Sequence, residues 1–463
     1  MKQEKELIKN TLIVALGKFS TQIVSFLLVS LYTARLTTEQ YGHYDLIITI
    51  ITFLTPIITL TLEESMFRFL IDAKNKKEEK SIISQTILTI LLTLTLSCII
   101  IFVVIKVFSI HTSPFFIPYV IAVVVMALMN CLVRGLGKIK LYSLSNFILS
   151  VLTIILNIVF VLGTNLNVDG LLLAVIIANI VVGLLLAIII KLPKYIDVKS
   201  LDKTTMKRMI KYSIPLIPNS LSWIIITLSD RLIVTSFLGT ASNGIYAISN
   251  KFPTIINTVY NYFSVAWKES AAKALHEDNS EVYYNRIYRA LRNIVYAATV
   301  GVIAVVPFVF NVLVHGGYQD SYMYIPILVI GVYFSNMASF YGGIFSAYME
   351  SKAVGTSTVI SAILNLGINI ILIKFIGIYA AAISTLVSSV FIYMYRKERI
   401  KKFVHLKPSK TLMISTLTTI IVLAAYYSKN HIIQAIALAW TIFYALMLNH
   451  NVVKMLKGRI KRR

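Results

Sequence analysis

Charged residues are scarce in this chain. Aspartate, glutamate, lysine and arginine make up 14% of its 463 residues, against about a quarter in typical soluble domains. Only two cysteines occur, Cys98 and Cys131, and both fall inside apolar runs, where they form neither a disulfide framework nor a metal-binding spacing. The seven histidines stand singly near loops or predicted helix ends, so we predict no metal site. These shortages argue against a soluble domain and against a metalloprotein.

Nucleotide-binding and catalytic signatures are also missing. The sequence contains no GxxxxGK[ST], HExxH or GxSxG motif, and the run Arg134–Lys138 has two glycines at the wrong spacing for a phosphate loop. The longest predicted loops, 191–211 and 268–292, are far shorter than the roughly fifty residues of a small domain. We therefore expect no enzyme activity and no cofactor. Energy for any transport would come from a gradient of Na+ or H+, the membrane potential or the substrate gradient.

Long apolar runs recur along the whole chain. The hydrophobic fraction is 57% and the mean hydropathy +0.79, and each run of about twenty residues could cross a hydrocarbon core of about 30 Å as a helix. The polar N-terminus and the length of the first run predict a retained first helix and no signal peptide. We predict an all-α polytopic membrane protein with about 14 helices. Their spans are about 11–34, 43–69, 82–105, 115–133, 141–163, 170–190, 213–237, 244–267, 293–314, 322–346, 355–373, 377–395, 411–428 and 431–449.

Basic residues alternate regularly between the two sides of this layout. Of the 44 lysines and arginines, 36 fall in loops on one side, four on the other and four inside predicted helices. Because basic loops stay in the cytoplasm, we expect a multi-pass protein of the bacterial inner membrane with both termini cytoplasmic. The net charge of +24 is then explained by these loops and by anionic lipids, without nucleic acid as a partner.

An internal repeat divides the chain. Shifting the sequence by 202 residues places Lys9 on Lys211, Gly42 on Gly244 and Tyr44 on Tyr246, with chance agreement among apolar helices as the alternative explanation. Both copies begin on the basic side, which predicts two parallel six-helix lobes around a central cavity, as in one class of secondary transporter. The predicted domains are an N-terminal lobe at 1–200, a C-terminal lobe at 201–400, and two added helices with a basic tail at 401–463.

Charges inside the predicted spans concentrate in the first two helices of each half. If Lys18, Arg231 and Lys251 each faced lipid unpaired, they would together cost on the order of 8–10 kcal/mol. Each must therefore face a partner or a water-filled cavity. Several cations in a cavity favour an anionic substrate, and arginine binds phosphate through paired hydrogen bonds. A cavity for lipophilic cations would instead be lined with carboxylates and aromatic rings. The predicted substrate-binding cations are Lys18, Arg68, Arg231 and Lys251.

Two acidic residues are the predicted partners of these cations. Glu64 lies four residues before Arg68 on one helix face, a favourable order for an ion pair. Asp230 points about 100° away from its neighbour Arg231, so we expect it to pair elsewhere, with Lys251 as a candidate. Both acids are assigned to ion pairing or ion coupling. The alternative is that these charges only hold helices together.

Two segments resemble bacterial polysaccharide flippases of the Wzx type, members of the superfamily that also holds multidrug exporters and the peptidoglycan-precursor flippase. They are RLTTEQYGHYDL at 35–46 and the 212–270 segment with its core IPLIPNSLSW…SDR…LG…GIYA…NK. The resemblance implies two six-helix lobes in a V and alternating access. The implied cargo is an oligosaccharide on undecaprenyl pyrophosphate, destined for a surface polysaccharide such as a capsule. Arg231 and Lys251 match cationic cavity positions of the family.

Further partners follow from the same resemblance: a glycan polymerase and export machinery would receive the translocated repeat units. Two other functions stay open on sequence alone. One is a multidrug or cation antiporter of the same superfamily, which would depend on Asp230 or Glu64 rather than on the cations. The other is a membrane enzyme that polymerises glycan repeats, which the short outer loops disfavour.

Overall fold

The computed structural model describes residues 26–275, 279–408, 411–450 and Lys454, and throughout these ranges the regular structure is helical, without strands. The chain separates into two compact units, Met1–Leu232 and Ile233–Arg463, with the boundary inside one helix. The first unit contains α1 (described from Phe26 to Arg35), α2 (Thr38–Ile58), α3 (Leu62–Asp72), α4 (Lys76–Val107), α5 (Phe116–Gly135), α6 (Ile139–Gly163), α7 (Asn167–Ile190), α8 (Lys203–Ser213) and the greater part of α9 (Leu216–Leu238).

The second unit continues from the end of α9. Its helices are α10 (Thr240–Ala274), α11 (Ser280–Leu313), α12 (Ser321–Ala347), α13 (Ser351–Ile376), α14 (Tyr379–Ile400), α15 (Leu412–Ser428) and α16 (His431–Leu448). Within the described ranges, nine helices are long and apolar enough to cross a membrane, and α1 and α15 are shorter apolar helices. Within the described residues, each predicted span coincides with a helix or a pair of helices, so the prediction of a polytopic helical protein is confirmed. Of the first span, 11–34, residues 11–25 lie outside the described residues.

The second predicted span, 43–69, is wrong in one respect, because it is broken into α2 and α3. Pro56 lacks the amide hydrogen that would continue the hydrogen-bond ladder, and α2 ends two residues later. Leu60 and Thr61 then take left-handed backbone angles, with φ of 52° and 50°, a conformation that is unfavourable for residues with a side chain. The break therefore directs α3 away from the axis of α2.

Hydrogen bonds to α8 stabilise this break. Thr61 Oγ1 donates to the carbonyl of Ser213 (2.8 Å), and Ser65 Oγ donates to the carbonyl of Met209 (3.1 Å). All four residues are buried. Since each bond joins a hydroxyl of α3 to a backbone carbonyl near the C-terminal end of α8, the two short helices are held together.

The predicted loops 191–211 and 268–292 are also shorter than expected. The first contains the amphipathic helix α8, whose N-cap Asp202 accepts hydrogen bonds from Thr205 and Thr204. These bonds, the one from the Thr205 hydroxyl foremost, lower the pKa of Asp202 below its ordinary value. In the second loop, α10 runs on to Ala274 and α11 starts at Ser280. Polar helical extensions thus replace irregular chain, because hydropathy locates only the part of a helix that lies in lipid.

The predicted repeat and the lobe boundary at 200/201 stay predictions, since the two compact units meet at 232/233, but one pair of helix starts agrees with the 202-residue shift. Thr38 and Thr240, which are 202 residues apart, are the first residues of α2 and α10. The matched Tyr44 and Tyr246 are 6% and 2% exposed, each inside its own unit. Tyr246 packs in a core cluster of the second unit with Ile233, Val234, Leu328, Ile373 and other residues at one end of that unit. The repeated tyrosine is therefore a core residue in both copies.

Arg396 holds three helices of the second unit together. Sequence analysis counted it with the basic loop 396–410, but its side chain is buried near the end of α14. Its Nε donates to Ser357 Oγ (2.9 Å), Nη1 to the Ala338 carbonyl (3.0 Å), and Nη2 to Thr358 Oγ1 (3.0 Å) and the Val354 carbonyl (3.3 Å). No carboxylate pairs with it among the described residues. The guanidinium is stabilised by neutral acceptors on α12 and α13.

We expect Arg396→Lys to lower the free energy of unfolding by about 2–3 kcal/mol, because an ammonium cannot reach acceptors on two helices at once and each lost hydrogen bond to a charged group is worth about 1.5–3 kcal/mol. The measurement is thermal unfolding of the purified protein in detergent. Arg399→Lys, on the same helix but exposed over the ring of Tyr395, is the matched control. Equal melting temperatures for the two variants would contradict the assigned role of Arg396.

Candidate functional site

Arg231 is the predicted site residue with the best-defined surroundings. Its Nε lies 2.6 Å from Asp45 Oδ2 and its Nη2 3.5 Å from Asp45 Oδ1, so the carboxylate accepts one short and one long hydrogen bond. The side chains are 12% and 13% exposed. The pair joins α9 to α2 within the first unit. A charge-assisted pair shielded from solvent to this degree is stronger than an exposed one.

Sequence analysis missed Asp45 as the partner of Arg231. The residue stands inside the quoted segment at 35–46, but it falls at the start of the second predicted span, where a carboxylate resembles an ordinary helix-end acid. The prediction of site residues relied instead on charges in the middle of the predicted helices, where an unpaired charge costs most. A signal was present nonetheless: Asp45 lies seven residues after the start of α2 and Arg231 seven residues before the end of α9, and the predicted topology puts these two ends on the same side of the membrane.

Three tyrosines form a buried cluster beside this ion pair. Tyr32, Tyr41 and Tyr44 have ring centroids 5.7 to 6.3 Å apart and are at most 6% exposed. Tyr41 lies four residues before Asp45 and therefore on the same face of α2. The rings pack α1 against α2 at the level of the Asp45–Arg231 pair.

The predicted pair between Glu64 and Arg68 is wrong. Arg68 Nη1 instead lies 2.7 Å from Asp72 Oδ2, one turn further along α3, and the two side chains are 47% and 64% exposed. Glu64 is contacted by the thiol of Cys131, with Sγ 3.8 Å from Oε1. Arg68 has an acid four residues away in each direction, Glu64 before it and Asp72 after it. Asp72 stands at the exposed end of α3, where the long arginine side chain can reach it.

The remaining predicted site residues are in different places. Lys18 lies outside the described residues. Asp230 is buried in the first unit, next to Arg231, whereas Lys251 is half-buried on α10 in the second unit. Their pairing stays a prediction. Within the described ranges, no group of three or more histidines, cysteines or acids could hold a metal ion.

A family model described as "Polysaccharide biosynthesis protein" matches residues 7–267. The match covers more than half of the chain and includes the segment 35–46, all but the last three residues of the segment 212–270, and the Asp45–Arg231 pair. The chain belongs to this polysaccharide biosynthesis family. No curated protein matches the sequence.

Solved structures of membrane transporters have the same fold as this family member. The lipid II flippase MurJ, in an inward closed conformation, aligns with a TM-score of 0.72 at 16% identity, covering 96% of this chain and 99% of MurJ. An inward-facing multidrug resistance MATE family transporter of the MOP superfamily aligns with a TM-score of 0.69 at 14% identity over 82% of this chain and 95% of its own. A MATE protein in complex with MaD3S aligns at 0.58. At such identities the likeness establishes the fold alone.

We expect a double-mutant cycle on Asp45→Asn and Arg231→Gln to give a coupling energy of about 1–3 kcal/mol, since charged hydrogen bonds shielded from water contribute in that range. The measurement is thermal unfolding of the four proteins in detergent. The exposed pair Arg68–Asp72, taken through Arg68→Gln and Asp72→Asn, is the control and should couple by less than about 1 kcal/mol. Equal coupling in the two cycles would show that burial adds nothing to the Asp45–Arg231 pair.

Proposed function

We propose that this protein is a flippase that moves oligosaccharide repeat units, linked to undecaprenyl pyrophosphate, from the inner to the outer leaflet of the cytoplasmic membrane. The proposal rests on two findings taken together: more than half of the chain matches the polysaccharide biosynthesis family, and the matched part contains Arg231, an arginine shielded from solvent. Both termini lie in the cytoplasm, following the basic loops. The mechanism that we propose is alternating access through a cationic central cavity.

Arg231 is the group that binds the pyrophosphate. A guanidinium forms two parallel hydrogen bonds with a phosphate, as it does with a carboxylate, so the cargo can replace Asp45 as its partner. Lys18, Lys251 and Arg68 are the further cations proposed to bind the cargo. Of these, Arg68 is exposed and paired with Asp72, so a phosphate would have to compete with that carboxylate as well. In the empty protein Asp45 keeps Arg231 neutralised, which lowers the cost of holding a cation inside the membrane.

Release of Asp45 supplies a link to an ion. When phosphate binds Arg231, the Asp45 carboxylate loses its partner in a site with little exposure, and its charge then needs another cation beside it. Cargo binding and ion binding then favour each other by the same factor. Asp230 and Glu64 are the further acids proposed for ion pairing or ion coupling. The driving gradient is accordingly one of H+ or Na+.

We expect a strain lacking this protein to accumulate complete lipid-linked glycan on the cytoplasmic leaflet. Wild-type protein should reverse the accumulation, while Arg231→Ala should export at least about tenfold less, because one lost hydrogen bond between charged groups is worth about 1.5–3 kcal/mol. The measurement is leaflet-resolved quantification of the glycan lipid, with membrane insertion of each variant verified by immunoblotting.

Lys106→Ala is the matched control, because Lys106 is an exposed cation in the last turn of α4 and the variant has the same change of charge. It should export normally. Normal glycan turnover in the deletion strain, accompanied by altered drug sensitivity, would overturn the flippase proposal in favour of an antiporter. In that case Asp230 or Glu64, rather than Arg231, would be essential for efflux.

A further inference from the structure

Two adjoining cavities lie between α11 and the C-terminal hairpin formed by α15 and α16. The first, of about 640 Å³, is bounded by the N-terminal part of α11, the segment after α14 and the end of α16. The second, of about 370 Å³, extends further along α11 and is bounded also by α12, α14 and α15. Asn293 and Leu448 line both, so the two spaces form one groove. Each volume is in the range of about 300–1,000 Å³ typical of ligand sites.

Hydrogen bonds fix the walls of this groove. Near its mouth, Asn285 Nδ2 donates to the His405 carbonyl (2.9 Å), while its Oδ1 accepts from the Lys407 amide (2.7 Å). Further along, Asn293 Nδ2 donates to the Leu448 carbonyl (3.1 Å). Tyr296 joins α11 to α15 through a hydroxyl contact with Thr419 Oγ1 (3.0 Å). The hairpin is therefore attached to α11 by a few polar contacts, and a space is left between them.

The mouth and the interior of the groove differ in chemistry. Arg286, Arg289 and Lys407 line the first cavity and are exposed, with Glu281 as the one carboxylate in its lining. Arg292 and Lys397 stand at the edge of the second cavity. Among the described residues no ion pair engages any of these five cations. The second cavity is otherwise lined mainly by aromatic, aliphatic and hydroxyl side chains, among them Tyr333, Phe334, Tyr393, Leu412 and Ile420.

We propose that this groove, the hairpin groove, binds an anionic glycerophospholipid of the membrane, with its phosphate on Arg286, Arg289 and Lys407 and an acyl chain in the second cavity. Five cations against one carboxylate select a negative headgroup, and basic pockets between membrane helices at the basic side of a protein are sites of this kind. The lipid would bridge α11 and the C-terminal hairpin. The proposal does not depend on the cargo.

The linear order of charged and apolar groups favours a phospholipid over a soluble anion. The three cations at the mouth could bind inorganic phosphate, but the aromatic and aliphatic lining beyond them would then stay empty. Arg286 and Arg289 are three residues apart on α11 and share a helix face, so both can contact one phosphate. The amphipathic ligand thus uses both parts of the groove.

The test is lipid binding by the full-length protein, delipidated in detergent, with native mass spectrometry as the readout and phosphatidylglycerol as the probe. We expect wild type to bind one phosphatidylglycerol in preference to phosphatidylethanolamine. The triple variant R286Q/R289Q/K407Q should bind about a hundredfold more weakly, since each basic residue near a membrane surface contributes roughly fivefold. R286K/R289K, which keeps the charge, should retain most of the affinity and shows that the fold tolerates change there.

The matched control is K76Q/K77Q/K80Q, which removes three lysines from the start of α4. It should bind phosphatidylglycerol like wild type, and equal loss in both triple variants would overturn the proposal.

A second measurement, thermal unfolding, distinguishes a lipid from a soluble anion. Inorganic phosphate alone should not protect the protein against thermal unfolding. Protection by phosphate equal to that by the lipid would assign the site to a soluble anion. Preference for undecaprenyl phosphate over phosphatidylglycerol would make the groove part of the cargo path.

Discussion

A cation inside a membrane-spanning helix needs a polar partner, and this requirement explains the arrangement of charge in the whole molecule. Most lysines and arginines avoid the requirement by standing in loops on one side. Arg231 satisfies it with the Asp45 carboxylate, together with the carbonyl of Thr227. Arg396 satisfies it with four neutral acceptors on two helices. The two sets of partners give the two arginines different roles. A carboxylate partner can be exchanged for another anion, whereas a guanidinium surrounded by backbone carbonyls and hydroxyls has a fixed structural role.

The number and placement of the membrane helices could be predicted from the sequence because hydrophobic length and the distribution of basic residues are averages over many positions. The break between α2 and α3 could not, because it depends on Thr61 and Ser65 reaching carbonyls of α8 about 150 residues away. Asp45 was missed for a similar reason: its partner is 186 positions distant. Arg68 was assigned to Glu64, since spacing along a helix does not distinguish between acids one turn before and one turn after.

The two segments matched by the 202-residue shift differ in helix length. Counted from the matched threonines, α2 ends at Ile58, while α10 continues without interruption past its Pro253 to Ala274. A proline therefore does not by itself determine where a helix ends. In the first unit the neighbouring α8 offers backbone carbonyls to Thr61 and Ser65 at the break. The difference between α2 and α10 thus follows from a tertiary contact that the sequence of α2 alone does not contain.

In the proposed mechanism, the exchange of partners by Arg231 has an energetic consequence. An unpaired cation inside the membrane would cost several kcal/mol, and the Asp45 carboxylate reduces that cost in the protein without cargo. A bound phosphate must displace the carboxylate, so the proposed affinity for cargo is reduced by the strength of the existing pair. A pyrophosphate can compete, because it carries more negative charge than one carboxylate. The proposal therefore requires the pair, with side chains 12% and 13% exposed, to open when the cargo binds.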